Sequence, residues 1–194
     1  MRTKREWFPG SIYHVMARGN YRQNIVQDNA DRICFMNMMQ YCIRKYDGTL
    51  HAFVLMDNHY HWLLQTGNVP IWELMHSFGW SYSTYYNQKY EKSGHLFQNR
   101  YKSCIVKAEP YFLQTSRYIH LNPVKAGMVS SPEQYRWSSY RTYMGIENLP
   151  YICTERIFSF FDANKAAEYR KFTEQKLSEN EFEKIRIEIG EDES

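Results

Sequence analysis

The sequence predicts an α+β fold of the ferredoxin-like or RRM-like type, in which an antiparallel sheet carries helices on one face. The first observation is the order of the predicted elements, which is strand, helix, strand, strand, helix, strand. The second is periodicity, because the strand segments alternate between two faces whereas two longer segments repeat apolar residues every three to four positions. The third is one more helical segment after the last strand, which predicts an extra C-terminal helix outside the sandwich.

The first strand and the first helix are separated by a short loop. Residues 12–18 alternate in the manner of a strand. Residues 28–46 carry apolar side chains at helical spacing, with Asp28 or Asn29 as the N-terminal cap. The pair Asp47-Gly48 then provides the signal that ends this helix.

A β-hairpin and a second long helix follow. Residues 50–56 and 59–65 are rich in strand-forming side chains, and Asp57-Asn58 between them is a turn signal. The second helix is predicted from Pro70, which suits a first helical turn, to about Tyr90.

The last part of the predicted domain combines extended chain with a third helix. Residues 96–106 are predicted to be extended, with one or two short strands. The third helix begins at Glu109 and is expected to end near Asn122, because a residue that precedes proline disfavours the helical region. The proline in question is Pro123.

Length and composition indicate one cytoplasmic domain with an appendage. The 194 residues suffice for one domain at 1–150, followed at 151–194 by a helical, acidic C-terminal extension that is expected to be partly mobile. No apolar run has the length of a membrane helix, and the basic N-terminus lacks the apolar segment of a signal peptide. Reduced thiols are expected, since no Cys-x-x-Cys spacing joins the four cysteines Cys34, Cys42, Cys104 and Cys153.

The charge is distributed unevenly. Residues 1–173 hold 21 Lys and Arg against 13 Asp and Glu, a net charge of +8, whereas residues 174–194 hold 8 acids and 3 bases. A basic body with 17% aromatic residues favours a single-stranded nucleic acid as partner, because bases stack on aromatic rings. The acidic tail is either solvated or lies over the basic face and weakens non-specific DNA binding.

Two histidines of the second hairpin strand form half of a candidate metal site. His59 and His61 share one face of a strand, while Tyr60 and Trp62 share the other face. Two imidazoles side by side favour a divalent ion, and the opposite face is apolar enough to pack against a core. Tyr60 is therefore interpreted as a spacer.

The third helix supplies a candidate nucleophile. Tyr118 and Asn122 lie four residues apart and so share one helix face, whereas His120 points elsewhere. A free phenol has a pKa near 10, so its activation at neutral pH requires about 4 kcal/mol. A divalent ion bound by the two histidines and the amide oxygen of Asn122 would polarise a phosphate beside Tyr118.

This set of residues resembles the site of the single-tyrosine HUH transposases of bacterial insertion sequences, and above all of the REP-associated tyrosine transposases. HUH denotes histidine, bulky hydrophobe, histidine, which residues 59–61 match. The resemblance covers about residues 5–145 and includes further segments in family order, at 18–20, 99–103, 118–127 and 137–140.

The resemblance implies an RRM-like sandwich and a defined chemistry. Tyr118 would attack a phosphodiester of single-stranded DNA, form a transient 5′-phosphotyrosine and release a 3′-hydroxyl, and the reverse step would rejoin strands as in DNA transposition. His59, His61 and Asn122 would hold Mg²⁺ or Mn²⁺, and the substrates would be imperfect palindromes that fold into hairpins.

Two departures from insertion-sequence members of the family bear on these expectations. Those members often use Gln where this chain has Asn122. They are also usually dimers that exchange the tyrosine helix, whereas members of the REP-associated branch look more monomeric. The oligomeric state of this chain, monomer or homodimer, therefore stays open.

Several residues keep two interpretations. Four basic side chains either bind DNA phosphates or are simply exposed to solvent: Arg18, Arg100, Lys102 and Lys125. His14 on the first strand either packs in the core or stands beside the site. At the level of function, the alternatives are a non-catalytic protein that binds hairpin nucleic acid and a metal-dependent hydrolase that uses water.

Overall fold

The computed structural model describes residues 7–175 and 179–188, and its elements follow the predicted order. The strands are β1 (Ile12–Arg18), β2 (Thr49–Leu55), β3 (His59–Gln65) and β4 (Lys102–Ile105). The helices are α1 (Asn29–Lys45), α2 (Ile71–Lys89), α3 (Glu109–Lys125), α4 (Tyr140–Tyr143), α5 (Glu155–Phe158), α6 (Lys165–Glu174) and α7 (Glu179–Glu188). None of the helices in these two ranges is long and apolar enough to cross a membrane.

The four strands form one antiparallel sheet in the order β2-β3-β1-β4. In the central pair, Arg18 of β1 lies opposite His59 of β3, and Met16 lies opposite His61. On the other side of β1, Lys102 of β4 also lies opposite Met16. The predicted α+β sandwich is confirmed, and its register places all of these side chains on one face of the sheet.

The opposite face packs against α1 and α2 through aromatic rings. Tyr60 and Trp62 of β3 meet Phe35 of α1 and Phe78 of α2, with Trp62 and Phe78 ring centroids 4.7 Å apart. Each of these side chains is at most 2% exposed. Since full burial of one such side chain stabilises a fold by about 1.5–3 kcal/mol, this face is the main hydrophobic core.

Helix α1 begins where the sequence predicts and buries only part of the predicted apolar stripe. Asp28 is the cap, and its carboxylate accepts a hydrogen bond of 2.8 Å from the backbone N–H of Asp31. Ile33, which belongs to the apolar spacing of the sequence, is 51% exposed, whereas Phe35 is fully buried. The larger aromatic ring therefore determines which side of α1 faces the sheet.

Helix α3 covers the histidine-bearing face of the sheet, where it packs against β2 and β3. The expected end near Asn122 is wrong, because the helix continues through Pro123 to Lys125. A proline in the last turn removes only one N–H donor, and the backbone N–H of Ala126 still donates to the carbonyl of Asn122 at 2.9 Å. The helix can therefore accommodate the proline at small cost.

The described part of the region 151–194 packs onto α3. Tyr169 of α6 is fully buried, and its hydroxyl donates to Ser116 at 3.0 Å while it accepts from Nδ1 of His120 at 2.7 Å. The other nitrogen of His120, Nε2, lies 2.8 Å from Oγ of Ser139, within hydrogen-bond distance. Both ring nitrogens of this buried histidine are thus satisfied in its neutral form.

This buried histidine predicts a loss of stability in acid. Burial lowers the pKa of His120 to about 3, well below its ordinary value of 6.5. The unfolded state therefore binds more protons between those two values, and the free energy of unfolding falls as pH drops through that window. We expect His120 to contribute on the order of 3 kcal/mol to this loss by pH 4, measured by denaturant unfolding between pH 7 and pH 4.

The variant His120→Gln isolates this contribution, and His95→Gln is the matched control because His95 is exposed. His120→Gln should flatten the dependence of stability on pH, whereas His95→Gln should leave it as in the wild type. Equal pH slopes in all three proteins would contradict the assignment.

Candidate active site

Strand β3 places both histidines of the His-x-His pair beneath α3. Alternation along β3 directs His59 and His61 to this face and Tyr60 and Trp62 to the aromatic core on the other. The His59 and His61 ring centroids lie 5.0 Å apart and their planes are nearly perpendicular, at 89°. His61 is fully buried and His59 is partly exposed, so the pair forms the floor of a cleft.

Helix α3 brings the other two predicted residues to the same place. The Tyr118 ring stands edge-on to the His61 ring, with centroids 5.8 Å apart. Asn122 lies one turn further along, where its Nδ2 donates to the carbonyl of Tyr118 at 3.1 Å, and its side chain is close enough to His59 to raise the pKa of that imidazole. The helix and the strand thus bring the four predicted residues to one side of the sheet.

The ring nitrogens of the two histidines suit a divalent ion. Nδ1 of His59 is 2.6 Å from Oδ1 of Asn58, and Nδ1 of His61 is 3.0 Å from Nε2 of His14. Such outer partners of the Nδ1 atoms are typical of ligating histidines, which then bind metal through Nε2. The described residues contain no group of three or more His, Cys, Asp or Glu that could hold a metal, so a site here depends on the amide of Asn122.

Burial keeps both imidazoles in the neutral form that a metal ligand requires. It lowers the pKa of His59 to about 4, with a further contribution from the positive charge of Arg18. It also lowers the pKa of His61 well below its ordinary value, and the neighbouring His59 adds to this effect. At neutral pH the floor of the cleft therefore carries lone pairs rather than positive charge.

Helix α7 covers the tyrosine. The Phe182 ring packs against the Tyr118 ring with centroids 4.7 Å apart and an interplanar angle of 32°. The ammonium group of Lys125 lies 4.8 Å from the centre of the Phe182 ring and fixes its outer side. Tyr118 is only 2% exposed as a result of its packing, so a phosphate can approach it only after the side chains over it move.

Three of the four predicted cations gather beside the histidines. Arg18, Arg100 and Lys102 line one small cleft at the β1–β4 edge of the sheet. Arg18 lies directly opposite His59, and Lys102 shares the histidine face through its pairing with Met16. Lys125 lies apart from them, at the end of α3 against Phe182.

A second concave surface lies on the other side of the sheet. It is a groove of ≈ 1030 Å³ between α2 and the segment that precedes β4. Trp72 and Trp80 of α2 line it and are 40% and 68% exposed. Arg100 also lines this groove, at the end nearest the cluster of cations.

Sequence reasoning missed two residues of this site, Asn58 and Phe182, and left the position of His14 open between the core and the site. Asn58 directly precedes the His-x-His pair, and its position in the turn was the available signal. His14 has the same alternation as Met16 and Arg18, but its approach to His61 depends on a register that only the folded sheet shows. Phe182 lies 64 residues after Tyr118 and carries no sequence signal that relates it to that tyrosine.

Comparisons with known proteins agree with this fold. Residues 8–122 match the family described as IS200-like transposases. The structure of a REP-associated tyrosine transposase bound to a REP hairpin is similar in fold, with 12% identity, a TM-score of 0.63, and coverage of 79% of this chain and 97% of that one.

A second similar structure is that of a protein assigned as a transposase from Deinococcus radiodurans R1, with 18% identity, a TM-score of 0.44, and coverage of 61% of this chain and 95% of that one. No curated protein matches the chain. The family match covers more than half of the 194 residues, from before β1 to Asn122. The chain therefore belongs to the IS200-like transposases, a family of enzymes that cleave DNA.

Proposed function

We propose that the protein cleaves and rejoins single-stranded DNA through a transient 5′-phosphotyrosine on Tyr118. The observation that supports this most directly is the meeting of Tyr118 and Asn122 of α3 with His59 and His61 of β3. A packed aromatic would need none of these partners, whereas a tyrosine nucleophile needs a phosphate held and polarised beside it.

The proposed chemistry assigns one bond change to each step. The phenolic oxygen of Tyr118 attacks the scissile phosphorus and loses its proton to solvent, and the bond from phosphorus to the 3′ oxygen breaks. The leaving 3′ oxygen takes up a proton and becomes a hydroxyl. Attack of another 3′-hydroxyl on the phosphotyrosine reverses both changes, restores the tyrosine and joins the two strands.

Tyr118 needs a phosphate that is made electrophilic by a bound cation, and three side chains would hold that cation. His59, His61 and Asn122 offer two neutral imidazoles and one amide oxygen. A divalent ion bound there would polarise the phosphate and neutralise part of its charge. The bond from Nδ2 of Asn122 to the Tyr118 carbonyl would orient this amide and leave its oxygen available to the ion.

The cluster of Arg18, Arg100 and Lys102 supports a path for the DNA backbone. Guanidinium groups bind phosphates through two parallel hydrogen bonds, and an ammonium group adds a point charge. Their place beside His59 would lead a strand to the cleft from the β1–β4 edge. This arrangement also fits the net charge of +8 on residues 1–173.

The ligand set predicts the preferred metal. Mg²⁺ favours oxygen ligands, whereas imidazole nitrogen suits Mn²⁺, so cleavage with Mn²⁺ should at least equal cleavage with Mg²⁺. The measurement is the rate of cleavage of a hairpin oligonucleotide with each ion at equal concentration, after chelation of residual metal. Markedly faster cleavage with Mg²⁺ would contradict a site built from His59 and His61.

The substrate we propose is DNA that folds into a hairpin, as in the structure of similar fold that holds a REP hairpin. The groove between α2 and the segment before β4 supports this choice, because exposed tryptophans provide stacking surfaces for unpaired bases. One chain contains every residue of the proposed site, which supports action as a monomer.

The groove can be tested by a single substitution. Trp80→Ala should weaken hairpin binding by about tenfold, because stacking of one base on an aromatic ring contributes about 1–3 kcal/mol. The measurement is a titration of labelled hairpin DNA followed by fluorescence anisotropy. Tyr41→Ala is the control, since Tyr41 is 63% exposed on α1 and lies outside the groove. Equal affinities of the two variants would exclude the groove from DNA binding.

The experiment that tests the proposed function looks for the covalent intermediate. The protein is incubated with Mn²⁺ and a hairpin oligonucleotide with a single-stranded 5′ extension, and the products are separated on a denaturing gel. A protein–DNA adduct is expected. Hairpin binding without an adduct would instead favour the non-catalytic binding protein, provided that Phe182→Ala, which removes the α7 ring over Tyr118, also forms no adduct. The covered position of Tyr118 is compatible with that role.

A further inference from the structure

His14 and His61 form a buried pair of imidazoles. Nε2 of His14 lies 3.0 Å from Nδ1 of His61, and the two rings are nearly parallel, with an interplanar angle of 8°. The two side chains are 1% and 0% exposed. The His14 ring also stands edge-on to Tyr118, with centroids 6.3 Å apart, so it touches a predicted ligand and the predicted nucleophile.

A single proton lies between these two nitrogens, and its owner decides what His61 can bind. If His14 donates from Nε2, Nδ1 of His61 accepts, and a neutral His61 then carries its own proton on Nε2. That nitrogen has no lone pair left for a cation. If His61 instead donates from Nδ1, its Nε2 keeps the lone pair.

His59 provides an internal comparison. Its Nδ1 faces the Oδ1 atom of Asn58 at 2.6 Å, and an amide oxygen can only accept. Asn58 therefore fixes the proton of His59 on Nδ1 and leaves the lone pair on Nε2. Nδ1 of His61 faces His14 instead of an amide oxygen. His14 can hold the proton of His61 on Nδ1 only if its own Nε2 acts as the hydrogen-bond acceptor.

We propose that His14 is a positioning residue that accepts the Nδ1 proton of His61 and so keeps the Nε2 lone pair of His61 available for a divalent cation. The inference rests on the proposed function, because it assumes that His61 is a ligand. It assigns to His14 no contact with substrate or metal. The proton of His14 itself then lies on Nδ1, away from His61.

The first test measures the tautomer of His61 directly in the metal-free, full-length protein. Nitrogen-15 NMR of labelled imidazoles distinguishes a proton on Nδ1 from one on Nε2. We expect His61 to carry its proton on Nδ1 and His14 to present a bare Nε2 to it. A proton on Nε2 of His61, with His14 as the donor, would overturn the proposal without any substitution.

The second test removes the acceptor. His14→Leu should shift the His61 proton toward Nε2 and weaken Mn²⁺ binding, measured by calorimetry without DNA, by about 10- to 100-fold, the usual effect of losing such an outer partner. His14→Gln, whose amide oxygen can accept, should recover most of the affinity. Met16→Leu is the control, because Met16 lies opposite His61 in the sheet but carries no acceptor at this position.

Unchanged Mn²⁺ affinity and an unchanged His61 tautomer in folded His14→Leu would refute the proposal, as would a failure of His14→Gln to recover either. The outcome is separable from that of the proposed function. If the wild-type protein bound no Mn²⁺, the metal site would fail, yet the NMR measurement would still decide whether His14 accepts from His61. If Tyr118 proved not to be the nucleophile, neither readout would change.

Discussion

Tyr118→Phe should abolish the covalent protein–DNA adduct and reduce cleavage by at least about 10³-fold, as is typical when a covalent nucleophile is removed. The substitution deletes one oxygen atom and leaves the ring that packs against His61 and Phe182. Hairpin binding should therefore stay within about threefold of the wild type, because the stacking and phosphate contacts that supply binding are untouched. Gel analysis of the adduct and anisotropy titrations measure the two effects.

Tyr111→Phe is the matched control, because Tyr111 lies on the same helix but is 45% exposed and distant from the histidines in sequence and fold. It should form the adduct at the wild-type rate. An adduct that persists in Tyr118→Phe would mean that another residue attacks the phosphate.

Phe182→Ala should accelerate adduct formation. The Phe182 ring lies on Tyr118 but is only partly buried, so it contributes less than the about 1.5–3 kcal/mol of a fully buried ring, and the covered state should outweigh the open state by up to about 10-fold. Loss of the ring removes this preference, and single-turnover cleavage should rise by up to the same factor. The measurement is the initial rate of adduct formation at saturating hairpin DNA.

Ile187→Ala provides the comparison on the same helix, since Ile187 is 60% exposed and should not affect the rate. Thermal unfolding of both variants checks that the rest of the fold persists. If Phe182→Ala cleaved no faster than the wild type, opening of α7 would not limit access to Tyr118.

Deletion of residues 174–194 should in addition raise non-specific DNA affinity, because it removes 8 acidic and only 3 basic residues.

The periodicity of each element was enough to predict the two pairs of residues in the candidate site, but not how the pairs meet. The period of two along β3 put His59 and His61 on one face, and the period of 3.6 along α3 put Tyr118 and Asn122 on one face. The strand and helix order then fixed the antiparallel sheet. Neither period says which side of the sheet α3 covers, so the approach of Tyr118 to His61 could be expected only from the resemblance to a family.

Long-range packing was beyond the reach of local rules. The pairing of β1 with β3 decides that His14 meets His61, and no local pattern encodes that register. Helical periodicity predicted that Ile33 of α1 would be buried, but Ile33 is exposed and Phe35 is buried instead, because periodicity counts every apolar residue equally. Pro123 marked the end of α3 too early, since a proline near a C-terminus costs little.

The position of α7 in the chain has a genetic consequence. Phe182 follows every residue of the proposed catalytic cluster in the order of the sequence. A stop codon that fell between α6 and α7 would leave Tyr118, His59, His61 and Asn122 intact while it removed the ring that covers the tyrosine. The shortened product should therefore form the adduct faster than the full-length chain, whereas a product that ends before Asn122 should form none.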